Sequence, residues 1–212
     1  MTVDAGLRAL AAGAVLGLAF GADTACAHVA SAQAGAFYAG MLHPLTALEH
    51  VLPMLALGLL AGQRGLNEGQ GVLLAFVVAL AASAGLAAPG AAPAWIGWIP
   101  PLNVGSLVVI GGLVAAAWRL PTALLYALAL LFGATHGYAN GAALPADLSP
   151  PIFALGLVAA ALLMAGYGLV VADALSRLKP NWPRVAVRVA GSWVAAVGIL
   201  VLGMGGKVVG AP

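Results

Sequence analysis

Long apolar stretches alternate along this chain with short clusters of Gly, Pro and charge. Six stretches reach about the 20 residues that an α-helix needs to cross a bilayer: residues 34–62, 70–88, 96–118, 122–144, 151–175 and 185–206. The connections, Gln63 to Gly69, Pro89 to Pro93, Arg119 to Pro121, Leu144 to Pro150 and Ser176 to Pro183, carry the residues that break helices. A shorter apolar run, Ala9 to Ala22, precedes them behind Arg8 and ends near Ala25-Cys26-Ala27. That is the form of a signal peptide cleaved after Ala27, with an uncleaved extra helix as the plainer alternative. The predicted architecture is an all-α integral membrane protein. Residues 1–27 form the signal peptide, and residues 28–212 form a six-transmembrane-helix bundle. No internal repeat is visible.

Composition agrees. Of the 212 residues, 63% are hydrophobic and 7% charged, and the mean hydropathy is +1.08. A soluble domain carries about a quarter charged residues. The net charge of +2 is too small to suggest nucleic acid. Cys26 is the only cysteine, so neither an internal disulfide framework nor a thiolate metal site can form. Arg64, Arg119, Arg177, Lys179, Arg184 and Arg188 fall after spans one, three and five or just inside span six. Lys207 alone falls on the other side. Basic loops stay inside, which predicts a bacterial cytoplasmic (inner) membrane location with both mature termini on the periplasmic side.

Against this background the segment His43-Pro44-Leu45-Thr46-Ala47-Leu48-Glu49-His50 is anomalous. Ionisable groups at membrane depth are costly and mark pathways or binding sites. His43 and His50 lie on nearly the same helical face, about 10 Å apart along a straight axis. They converge only if the helix bends, and Pro44 and Pro53 are candidate kinks. A bend or restart near His43 is therefore expected. Glu49 points about 100° away from His50, and Met54 shares the His50 face. Packing is the ordinary use of a buried Met, and a hydrogen bond to a neighbour is the ordinary use of a membrane His. Glu49 has no Lys or Arg at mid-span to pair with, which favours a cation, a proton or a protonated His50.

Span four holds a second cluster, with His136 and Asn140 one turn apart. Gly133, Gly137 and Gly141 form a ridge of small residues that admits a neighbouring helix closely. Spans one and four run in opposite directions. His50 and His136 both lie about 20 Å from the inner ends, and His43 and Asn140 share a level nearer the outside. The two clusters therefore predict one site with an outer approach. Asp147, in the outer loop, stands where it can attract cations, although a solvated carboxylate is the simpler reading. Cleavage after Ala27 would leave His28 as the N-terminus, with an amino group and an imidazole able to chelate. Imidazole with carboxylate suits divalent transition metals, nickel and cobalt among them. Calcium or magnesium would need more oxygen ligands.

At these residues the chain resembles the HupE/UreJ family of nickel permeases. The family pattern H-x5-D-H reads His43-x5-Glu49-His50 here, and the resemblance continues through HPLTALEHVLPMLALGLLAGQ. A second pattern, H-G-x-A-H-G-x-E, reads His136-Gly137-Tyr138-Ala139-Asn140-Gly141-Ala142-Ala143. Asn140 replaces its second His and Ala143 its acid. The resemblance implies secondary transport of Ni2+, or Co2+, to supply urease or hydrogenase, with somewhat more likeness to the urease-associated branch. It implies metal contacts at His43, Glu49, His50 and His136, with Asn140 still able to offer a carbonyl oxygen.

The expected partners are a divalent metal ion as substrate and membrane lipid, with no permanent cofactor and no nucleic acid. Homo-oligomerisation stays open, and no downstream maturation protein can be inferred. Two rival classes are weaker. A b-type haem protein would use His50 and His136 as axial ligands, leaving Glu49 unexplained. An intramembrane hydrolase would need a nucleophile with a base, and Ser83, Ser106 and Ser192 lie in no such motif. No phosphate-binding G-x-x-x-x-G-K-[ST] occurs. The reading is a transporter and not an enzyme.

Overall fold

The computed structural model describes residues 32–87 and 94–204. The expected signal peptide, His28 and Lys207 lie outside them. Helices are the only regular structure among the described residues: α1 (Ala32–Thr46), α2 (Leu48–Gly62), α3 (Leu66–Leu86), α4 (Ile99–Ala116, led by a 3-10 turn, Ala94–Trp98), α5 (Thr122–Ala142), α6 (Pro150–Arg177) and α7 (Trp182–Gly203). Five helices are long and apolar enough to span a membrane, and α1 with α2 makes a sixth if the bent pair counts as one span. Large apolar side chains such as Leu74, Val78, Trp193 and Ile199 point outward, as expected where the solvent is lipid.

α1 and α2 meet at 82°. The break falls at Ala47, which is extended at φ −104° and ψ 113°, three residues beyond Pro44 and not beside His43 as expected. The reason is local. Pro44 removes only its own N–H and with it one bond to the preceding turn, so α1 continues through Thr46. There the Thr46 hydroxyl donates to the carbonyls of Leu42 and His43, at 3.0 and 3.1 Å, and the His43 carbonyl is among the four that the ending helix leaves open. Chain direction then changes, and the amides of His50 and Val51 take up the Ala47 carbonyl to start α2. Pro53 lies inside α2 without ending it; having no N–H, it leaves the Glu49 carbonyl without its intrahelical donor.

The helices pair closely: α3 against α5, α4 against α7, and α2 against α6. The glycine ridge of α5 meets α3 as expected. A Cβ at Gly133 would lie 2.5 Å from the Phe76 carbonyl oxygen, and at Gly137 and Gly141 it would run into the carbonyls of Leu80 and Ala84. A buried core of Met54, Leu57, Phe76, Leu80, Leu107, Ile110 and Leu157 lies among the helices. α2 packs beside α3, α4 and α6, which places the polar start of α2 inside the bundle.

Candidate metal pathway

The helix break carries two of the histidines and turns them toward a third. His43 lies on α1 and His50 on α2, and their ring centroids are 6.0 Å apart. The straight-helix separation of about 10 Å has closed because the axis turns between them. Across the bundle, α5 supplies His136. It is fully buried, and its Nδ1 lies 2.9 Å from His50 Nδ1, with the two rings edge to face. The matched depth of His50 and His136 is thus realised as direct contact.

Hydrogen bonding couples the protons of the neutral His50 and His136 rings, and one tautomer pair follows from the Ser106 contact. The Ser106 hydroxyl donates its single proton to the Asn103 carbonyl at 2.6 Å. With its proton there, its oxygen, 3.0 Å from His136 Nε2, accepts, and in that tautomer the His136 proton sits on Nε2. His136 Nδ1 is left as an acceptor, and the shared contact places the His50 proton on Nδ1. The lone pair of His50 is therefore on Nε2, the atom that faces Glu49 Oε1 at 3.8 Å. In that tautomer two acceptors face each other, a pairing that either a shared proton or a cation satisfies. Two bonds of roughly 2.0–2.2 Å each, the range for nitrogen and oxygen on a zinc-sized ion, span that gap. The Glu49 side chain stays 35% exposed and borders a 30 Å³ void between α2, α4 and α7.

Two amide oxygens add to the polar character. Asn140 and Asn103 are buried, and Asn140 Nδ2 donates to the His136 carbonyl at 2.7 Å. The side-chain oxygens of both residues are buried without a hydrogen-bond partner. Such atoms are uncommon in folded proteins, and each can accept from a water or face a cation. Asn103 and Ser106 were not among the residues singled out from the sequence as ligands. The signal was present, because an Asn and a Ser one turn apart interrupt an otherwise apolar span.

The remaining expected positions separate. Met54 is fully buried within the apolar core. Asp147 is exposed in the connection between α5 and α6. Gly133, Gly137 and Gly141 serve packing. Among the described residues, no three His, Cys, Asp or Glu side chains are arranged to hold one metal ion together. The His50–His136 hydrogen bond is one reason, since it occupies nitrogens that would otherwise be ligands. The same contact opposes the haem alternative, because a porphyrin plane cannot fit between nitrogens 2.9 Å apart.

A broken membrane helix beside buried imidazoles defines a class, the multi-span helical membrane proteins with a polar site inside the bundle. Comparison with known proteins gives the family: residues 14–201 match HupE / UreJ protein, and the chain belongs to that family. It is 32% identical over 167 residues to "Protein HupE" of Rhizobium leguminosarum bv. viciae, covering 77% of this chain and 83% of that relative. No solved structure matches it.

Proposed function

We propose that this protein is a secondary permease carrying a divalent transition-metal ion, Ni2+ first and Co2+ second, inward across the cytoplasmic membrane to supply urease or hydrogenase. The observation that carries the reading is the 82° break that brings His43 and His50 together beside His136. Family membership and the curated relative support it. The ion passes His43, is held between His50 Nε2 and Glu49, and moves on when the His50–His136 contact rearranges. A site with two preset donors suits this task better than a closed one, because a carrier must release what it binds. Asp147 lies on the approach side. The basic connections face the cytoplasm by the positive-inside rule, so the described start of α1 faces the periplasm.

Uptake of radioactive nickel by cells expressing the chain tests this, with cobalt, zinc and manganese as competitors and with the proton gradient intact or collapsed. His50→Ala and Glu49→Ala, at equal membrane abundance, should bring uptake down to that of cells lacking the protein. Wild-type rates in both variants would overturn the proposal.

A further inference from the structure

The arginines read above as topology markers do more than mark a side. Four of them, Arg64, Arg119, Arg184 and Arg188, line one cavity of about 250 Å³ together with Trp118 and Val187. At about 30 Å³ per water this is room for roughly eight waters. The residues come from three separate parts of the chain: the turn after α2, the turn after α4 and the first two turns of α7. No Asp or Glu lines the cavity among the described residues.

The charges are unequally compensated. Arg64 is held by Glu68 through Nε at 3.2 Å and Nη2 at 2.9 Å, and it also donates to the Leu120 carbonyl. Arg177, at the same end but outside the cavity lining, is held by Asp173 at 2.8 and 2.9 Å. Among the described residues Arg184 and Arg188 are bonded to no acid, and Arg119 acts on Glu68 only through space. Arg184 donates to the Ser176 carbonyl at 2.8 and 2.6 Å, and Arg188 donates to the Ala115 carbonyl at 2.8 Å. Those bonds cap the ends of α6 and α4 and fix the guanidiniums in place, but a carbonyl does not cancel a unit charge. Arg119 donates no hydrogen bond among the described residues. Capping explains the two bonds of Arg184 and the one of Arg188; it does not explain why donors left over on Arg119, Arg184 and Arg188 border one concave space. Such a concentration of charge repels a metal cation, so this is not a second metal site. Guanidinium forks match phosphate oxygens bidentately. Trp118 and Trp182 are 65% and 67% exposed, and indoles at a membrane protein's rim sit at headgroup level.

We propose that this cavity binds a phosphate-bearing anion, the chemistry shared by the headgroup of an anionic lipid and by free phosphate. The inference does not depend on the transport reading.

Native mass spectrometry of the detergent-purified full chain tests it, with phosphatidylglycerol, phosphatidylcholine and inorganic phosphate added in separate arms. The wild type should retain phosphatidylglycerol about ten-fold better than phosphatidylcholine, and R184Q/R188Q should lose that preference. Because the double variant also uncaps two helix ends, Arg119→Gln is the second variant and should lose several-fold without a change in helical circular dichroism. Arg177→Gln should keep the wild-type preference. Displacement of the lipid by millimolar phosphate names free phosphate as a sufficient ligand, and failure to displace it names the lipid. Equal retention of both lipids with no bound phosphate overturns the proposal, and so does a preference that survives in both cavity variants.

Discussion

His50 and His136, 86 positions apart, share a contact of 2.9 Å between their Nδ1 atoms. One nitrogen must donate and the other accept, so each ring fixes the proton of its partner. Removing either leaves a buried polar atom unsatisfied, at a cost of about 1–3 kcal/mol. His50→Ala and His136→Ala should each destabilise the protein by that order. The double variant should fall short of the sum by about 0.5–3 kcal/mol, because the second change removes an orphan created by the first. Unfolding in mixed detergent micelles measures all three, and strict additivity would show that the contact contributes nothing.

Ser106 Oγ holds His136 Nε2 at 3.0 Å, and with its own proton on the Asn103 carbonyl it acts there as acceptor. Ser106→Ala removes that acceptor and frees the ring to exchange tautomers. Nitrogen-15 NMR of histidine-labelled protein should show His136 protonated on Nε2 in the wild type and a mixture in the variant. Nickel uptake should fall several-fold while helix content is kept. An unchanged tautomer would remove Ser106 from the positioning role.

Asn140 stands where the family pattern has a second histidine, and its Oδ1 is buried without a partner. Among the described residues its amide donates to the His136 carbonyl, a bond worth roughly 0.5–1.5 kcal/mol. Asn140→Ala should therefore cost about that much stability while raising the nickel concentration for half-maximal uptake several-fold. Loss of stability with unaltered uptake kinetics would confine Asn140 to a structural role.

Gly137 and Gly112 predict opposite signs. A Cβ at Gly137 would run into the Leu80 carbonyl and the Ser83 hydroxyl of α3, whereas at Gly112 it would meet nothing within 4 Å. Gly137→Ala should destabilise by about 1–3 kcal/mol through overpacking. Gly112→Ala should be neutral or stabilise by up to about 1 kcal/mol, the helix propensity gained. The detergent unfolding midpoint reads both, and equal shifts would contradict close packing at the α5 ridge.

The proposed metal pair, His50 Nε2 and Glu49 Oε1, 3.8 Å apart, should respond to charge more than to shape. Glu49→Gln keeps the volume and an oxygen but removes the anion. Uptake at low nickel should drop about ten-fold or more, a loss of about 1.4 kcal/mol or more in ion binding, with protein abundance unchanged. Full uptake in this variant would show that the carboxylate does not meet the ion.

The sequence by itself determined five of the spans, because hydrophobic length and helix-breaking residues are local properties read within one segment. It also determined the α5 glycine ridge, since a four-residue spacing fixes one face of a helix wherever its partner lies. The histidines and Glu49 were legible for a related reason: polar groups in a long apolar run are anomalous whatever the fold. Tertiary structure decided the rest. Pro44 announced a bend, but the turn at Ala47 depends on where Thr46 caps the helix end. Matched depth placed His50 and His136 on one level, yet only the packing of α2, α4 and α5 could bring their rings into contact. Asn103 and Ser106 join that contact from α4, and the arginine cavity is assembled from segments far apart in the chain. Both depend on which helices become neighbours, and helix periodicity carries no information about that choice.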